Sequence, residues 1–263
     1  MTAINVTPRR VVRSELIKLA TLRSTTITFA VAVAAMVGIS VLIAWATVGN
    51  WDTMSPADRR STAVEEVVLS GRFLAQLAIG VLGVMAVTGE YATGMIRATL
   101  AATPRRGAVL AAKAVVLSGT LVVAGTVTAF AGYFGGNFFL EREGIGLALS
   151  DDGVLRSMFG SGLYLAGLGL LAAAVGLLVR HTAAALSIVL ALVFVVGTMA
   201  FLLPGTWGEW TAKLLPGNAG SGVVTPVSFN PELLDPWVGF AAFCAEIAAV
   251  LLIGFLVFRR RDA

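Results

Sequence analysis

Six stretches of about 20 residues each carry no charge or a single one, and a soluble domain of this size has no interior that could hide them all. They cover residues 27–48, 67–88, 114–135, 157–179, 182–203 and 237–258. A bilayer core about 30 Å thick needs about 20 apolar residues at about 1.5 Å per residue, so each is long enough to cross. Ile27–Val48 is charge-free, and Val67–Thr88 holds only Arg72 near its start. The third opens an uncharged run from Ala114 to Leu140 whose Gly-rich, aromatic last third is expected to surface. Ser157–Val179 and Thr182–Leu203 follow, and Trp237–Phe258 is interrupted by Glu246. Backbone polar groups in lipid must be satisfied within the segment, so all six read as helices. The expected fold is an all-α polytopic membrane protein with residues 1–263 as one transmembrane domain. Composition agrees: 57% hydrophobic and 13% charged, against about 45–50% and about 25% in soluble chains.

Sorting the cations by side of the membrane sets the orientation. Thirteen lie on one side: Arg9, Arg10, Arg13, Lys18, Arg23, Arg97, Arg105, Arg106, Lys113, Arg180 and Arg259 to Arg261. Six lie on the other: Arg59, Arg60, Arg72, Arg142, Arg156 and Lys213. Both termini are therefore expected in the cytoplasm. The acids divide oppositely, with Glu15, Glu90 and Asp262 inside, 11 outside and Glu246 within a span. The net +4 thus resolves into 13 − 3 = +10 inside, 6 − 11 = −5 outside and −1 in the membrane, which reads as attraction to anionic lipid and not to nucleic acid. The single cysteine, Cys244, excludes an intrachain disulfide, and the single histidine, His181, argues against zinc chemistry.

Arg9-Arg10 and Ala44-Trp45-Ala46 have the look of a cleaved export signal, but the apolar core begins only at Ile27, and a spanning helix with a cytoplasmic arm fits better. Along that arm Val12, Leu16, Leu19 and Arg23 recur at helical spacing with Arg10, Arg13 and Lys18 elsewhere around the helix. The pattern predicts a basic amphipathic helix lying on the inner leaflet.

The cytoplasmic segments are too short for a catalytic domain. A phosphate-binding loop needs Gly-Lys followed by Ser or Thr, and the three lysines follow Ile17, Ala112 and Ala212. No nucleotide site of this kind is present, so if ATP supplies the energy another chain binds it. The segment Gly89 to Lys113, GEYATGMIRATLAATPRRGAVLAAK, is more than a connector. Ile96 and Leu100 with Met95 and Thr99 predict a short helix with one apolar stripe over Thr93–Ala102, and Thr103-Pro104 reads as the start of the next helix. Such a helix suits a groove on a soluble partner, or else lies on the membrane surface.

The arm RSELIKLATLRST, Arg13 to Thr25, and EYATGMIRATLAATPRRGAVLAAK, Glu90 to Lys113, resemble the permease subunits of type-2 ATP-binding-cassette (ABC) exporters, in the small actinobacterial branch. The six spans, the Leu215 to Gly220 stretch and the Arg-rich tail extend the resemblance along the chain. It implies a cytoplasmic coupling helix between spans two and three, with Glu90, Gly94, Arg97, Pro104, Arg105 and Arg106 at or beside the contact with a separately encoded ABC ATPase. It also implies a homodimer or paired permease, no cofactor bound directly, and ATP and Mg acting through the partner. The mostly apolar spans suit an amphiphilic drug, antibiotic or lipid-like substrate.

Glu246 lies about 13 Å from the outer end of its span, and Arg72 is the one cation at comparable depth. A carboxylate there is costly unless paired, which predicts an intramembrane Arg72–Glu246 pair, structural or substrate-facing. Small residues stud the third and fourth spans; helix packing accounts for most, and Gly132 with Gly136 offers a small-xxx-small face for a dimer. Between the last two spans Trp207, Trp210 and Leu214 predict an interfacial helix at the outer leaflet. His181 beside Arg180 reads as a solvated turn. Two other function classes stand beside the exporter. A secondary transporter needs no ATPase but commonly shows more intramembrane charge than Arg72 and Glu246. An intramembrane protease is brought to mind by Glu65-Glu66, but Arg72 is spaced too far on and no partner histidine exists.

Overall fold

A computed structural model describes residues 7–103, 105–196, 199, 202, 205–226 and 234–260. The described residues contain helices and no strand. In order these are α1 (Pro8–Thr21), α2 (Arg23–Asn50), α3 (Pro56–Ser61), α4 (Val64–Val67), α5 (Arg72–Ala92), α6 (Met95–Ala102), α7 (Arg106–Leu140), α8 (Val154–Val179), α9 (Thr182–Leu190), α10 (Gly205–Leu214), α11 (Pro216–Ser221) and α12 (Pro236–Arg260). Five stretches are long and apolar enough to cross a membrane: Arg23–Thr53, Val64–Ala92, Arg106–Glu143, Val154–Val179 and Pro236–Arg260. The chain is thus compatible with a multi-pass membrane protein.

The expected fifth span falls short of a crossing within the described residues. Thr182–Val196 is 15 residues, with Ala191–Val196 in a π-helical turn, and reaches about 22 Å at about 1.5 Å per residue against a core of about 30 Å. Most of 197–204 lies outside the described residues. The third span is longer than expected: α7 stays helical for 35 residues through its Gly-rich end.

α8 is the hub. Its central window is 78% buried, whereas those of α2, α7 and α12 are 22%, 28% and 17% buried. α8 packs against α7, α5, α12 and α9, and its small residues set the spacing. A Cβ on Gly162 would lie 2.5 Å from the Val122 carbonyl oxygen of α7, and one on Gly83 of α5 would lie 2.3 Å from the Gly169 oxygen. Backbones this close require glycine, so the glycines of the fourth span serve packing, as the sequence implied. The outward faces of α2, α7 and α12 carry exposed apolar side chains such as Val31, Val123 and Leu252, a belt suited to lipid.

Gly132 and Gly136 do not form a dimer face. They pack within the chain against α2, where a Cβ on Gly132 would lie 3.4 Å from Ser40 Oγ and one on Gly136 3.5 Å from Ala44 Cβ. Ser40 in turn accepts a hydrogen bond from Gly71 N at 3.2 Å, pinning the start of α5.

The segment after α9 folds back into the bundle. Trp207 and Trp210 of α10 are exposed, as an interfacial helix would have them. α11 dips inward: Gly220 sits against the rings of Tyr164 and Phe243, and Val223 and Val224 are fully buried. Arg156 Nη2 donates to the Thr225 and Pro226 carbonyls at 2.9 and 2.8 Å, tying this segment to α8.

Candidate functional site

One end of the bundle, the basic end, gathers Lys18, Arg97, Arg105, Arg106, Lys113, Arg180, Arg259 and Arg260. Two acids are buried there, Glu15 of α1 and Glu90 near the end of α5. Both find lysines. Lys18 Nζ donates to Glu15 Oε1 at 2.6 Å and to Glu90 Oε1 at 2.8 Å. Lys113 Nζ, one turn and more into α7, donates to Glu15 Oε2 at 2.7 Å and to Glu90 Oε1 at 2.9 Å. The four side chains close a ring of alternating charge with no net charge. The carboxylate side chains are 4% and 5% exposed, the ammonium ones 18% and 11%.

The ring unites four elements. Lys18 spends its remaining reach on Thr99 Oγ1 of α6 at 3.3 Å, and Lys113 on the Ala86 carbonyl at 3.0 Å. The N-terminal helix, α5, α6 and α7 thereby share one polar node. Burial alone would lower the Lys18 pKa, but the hydrogen bonds and charges of Glu15 and Glu90 outweigh it and hold the ammonium above its ordinary 10.5.

This node re-aims α1. The sequence pattern put Val12, Leu16, Leu19 and Arg23 on one stripe, whereas the inward face is Val11, Glu15 and Lys18, with Leu16 and Ile17 exposed. Val11 packs with Val109 and Ala112 of α7. A charge-pairing face outranks an apolar stripe here because the partner charges are already buried on α5 and α7.

α6 covers Met95–Ala102, two residues shorter at its start than expected. Gly94 precedes it in the left-handed conformation at φ 69°, where a side chain would be strained. Ile96 is buried, and Arg97 beside it is exposed. Of the residues implied for an ATPase contact, Gly94, Arg97 and Arg105 are exposed. Arg106 donates from Nη1 to the Phe258 carbonyl at 2.8 Å and lies over the Phe258 ring, which ties α7 to α12. Glu90 is buried in the ring and offers no surface for a partner. Pro104 lies outside the described residues.

The Arg72–Glu246 pair does not form: no ion pair joins them among the described residues. The reason is topological. α5 and α12 pack on α8, which stands between them. Arg72 lines a cavity of about 420 Å³ at the other end of the bundle, with Glu65, Glu66, Ser70, Thr225 and Pro226. Glu246 Oε2 is buried without a hydrogen-bond partner. No cluster of three metal-ligating side chains occurs among the described residues. At the turn between α8 and α9, His181 Nδ1 accepts from Ala184 N at 3.4 Å and caps α9, while Thr182 Oγ1 donates to Thr88 Oγ1 at 2.9 Å.

The residues that sequence reasoning missed are Glu15 and Lys113 as partners, and Lys18 and Thr99 as the link to α6. Their separations of 72 to 98 positions across the key bonds leave no local trace. No protein-family model matches the chain, and no curated protein is similar to it.

Proposed function

We propose that the chain is the permease subunit of a type-2 ABC exporter, working with a separately encoded ATPase and with a second permease, identical or related. Both termini and α6 then face the cytoplasm of a bacterial plasma membrane, as the excess of cations at that end favours. The observation that carries the reading is α6 itself. A short helix stands between two long apolar helices at the basic end, exposes Arg97, and is anchored through Thr99 to a buried node shared by α1, α5 and α7. A push on α6 therefore meets a connected set of helices and not a slack loop. ATP and Mg belong to the partner, and the apolar interior favours an amphiphilic drug, antibiotic or lipid-like cargo.

The test is reconstitution with a separately encoded ABC ATPase. The purified chain alone is expected to hydrolyse no ATP, and the complex to hydrolyse it. Arg97→Glu is expected to weaken assembly while leaving the chain folded in the membrane. Hydrolysis by the isolated chain, or transport that persists without the ATPase and collapses with an uncoupler, overturns the proposal.

A further inference from the structure

Between α7 and α12, at the basic end, lies a cleft of about 310 Å³. Leu110, Ala114 and Leu117 of α7, Leu251 and Phe255 of α12 and Leu177 of α8 line it. The wall is apolar apart from Lys113, whose ammonium is held by Glu15 and Glu90, and Ala111 and Leu252 at its sides are exposed, so the cleft opens sideways along the faces that form the apolar belt. Its floor toward the helix ends is aromatic. The Phe255 ring lies 3.4 Å from where a Cβ on Gly107 would stand, and the Arg259 guanidinium sits over that ring at 5.6 Å.

Arg259 and Arg260 are exposed and are bound to no carboxylate among the described residues. The buried acids at this end, Glu15 and Glu90, are consumed by Lys18 and Lys113. An apolar slot therefore runs along the membrane-spanning part of the bundle and ends beneath two arginines that have no carboxylate partner among the described residues. That is the shape and charge of an anionic amphiphile standing in a bilayer leaflet. A neutral lipid would satisfy the slot but not the arginines, and a free phosphate the arginines but not the slot.

We propose that the α7–α12 cleft binds an anionic membrane lipid, with one acyl chain in the slot and the headgroup held by Arg259 and Arg260. The site depends on the chain spanning a membrane and is independent of any ATPase, so its failure leaves the exporter reading untouched.

Native mass spectrometry of the full chain in detergent, titrated with phosphatidylglycerol or phosphatidylcholine of equal chains, tests it. At about fivefold per arginine, two arginines give phosphatidylglycerol an advantage of about 25-fold. Arg259→Ala with Arg260→Ala is expected to bring the two lipids within about twofold of each other. Ala114→Phe, which fills the slot, is expected to abolish saturable binding of both. Equal binding by the unaltered chain, a preference that survives loss of both arginines, or a folded Ala114→Phe variant with unchanged affinity overturns the proposal. Should Ala114→Phe fail to fold, competition on the unaltered chain decides. Single-chain lysophosphatidylglycerol is expected to displace phosphatidylglycerol, and glycerol 3-phosphate to leave it bound; the reverse pattern overturns the site.

Discussion

Replacing Glu90 by Gln removes one negative charge from a ring that holds two of each sign, and leaves the shape almost unchanged. Lys18 and Lys113 then share Glu15 alone, and the buried node carries about one uncompensated positive charge. Breaking a buried pair by removing one partner costs about 3–5 kcal/mol, and the low end is expected here because both lysines retain some exposure. Lys113→Met makes the opposite error and is expected to cost a similar amount. The double variant Glu90→Gln with Lys113→Met restores neutrality, leaving the Lys18–Glu15 pair at 2.6 Å. Its cost is therefore expected to fall short of the sum by about 2 kcal/mol, within the range of coupling seen in shared networks. The assay is reversible unfolding in mixed micelles, with proteolysis near α1 as a local readout. Additive single effects, each below about 1 kcal/mol, would refute the idea that the four groups act as one buried unit.

The same ring responds to alkali. Because the folded Lys18 pKa stands above its ordinary 10.5, its contribution is complete below pH 10.5 and is lost as pH rises through the higher folded value. Protection of α1 from proteolysis is expected to hold at neutral pH and to fall only in that alkaline window. Thr99→Val removes the α6 tether at 3.3 Å and is expected to speed amide exchange in α6 while shifting global stability by about 1 kcal/mol or less. Gly160→Ala places a Cβ 2.0 Å from the Val223 carbonyl oxygen and is expected to cost about 1–3 kcal/mol, whereas Gly119→Ala, which meets nothing within 4 Å, is expected to gain up to about 1 kcal/mol. Arg72→Gln and Glu246→Gln are expected to combine additively to within about 0.5 kcal/mol, and a larger coupling would show that the two charges meet.

The hydrophobic runs alone were enough to read four long apolar helices with bounds close to those observed, because an uninterrupted apolar run satisfies its backbone polar groups most readily as a helix. The sorting of cations and acids into two sets needs only sequence order and no contacts. The short helix was visible from the stripe of Ile96 and Leu100, but its start was expected at Thr93, and the left-handed Gly94 moves it to Met95. What a linear pattern does not contain is the neighbour of each face. Gly132 and Gly136 are a dimer motif by spacing and an intrachain seat for α2 by contact. Arg72 and Glu246 are partners by depth and strangers by topology, because α8 lies between their helices. Glu15 and Lys18 stood in the arm, and Glu90 and Lys113 at the two ends of the segment between the second and third spans, until packing brought each lysine within 3 Å of both acids. Hydrophobic periodicity is a property of a single helix, and so the sequence determined which stretches are helical and the approximate ends of most of them. Charge pairing and small-residue contact are properties of two surfaces, and only the tertiary structure decided which surfaces met.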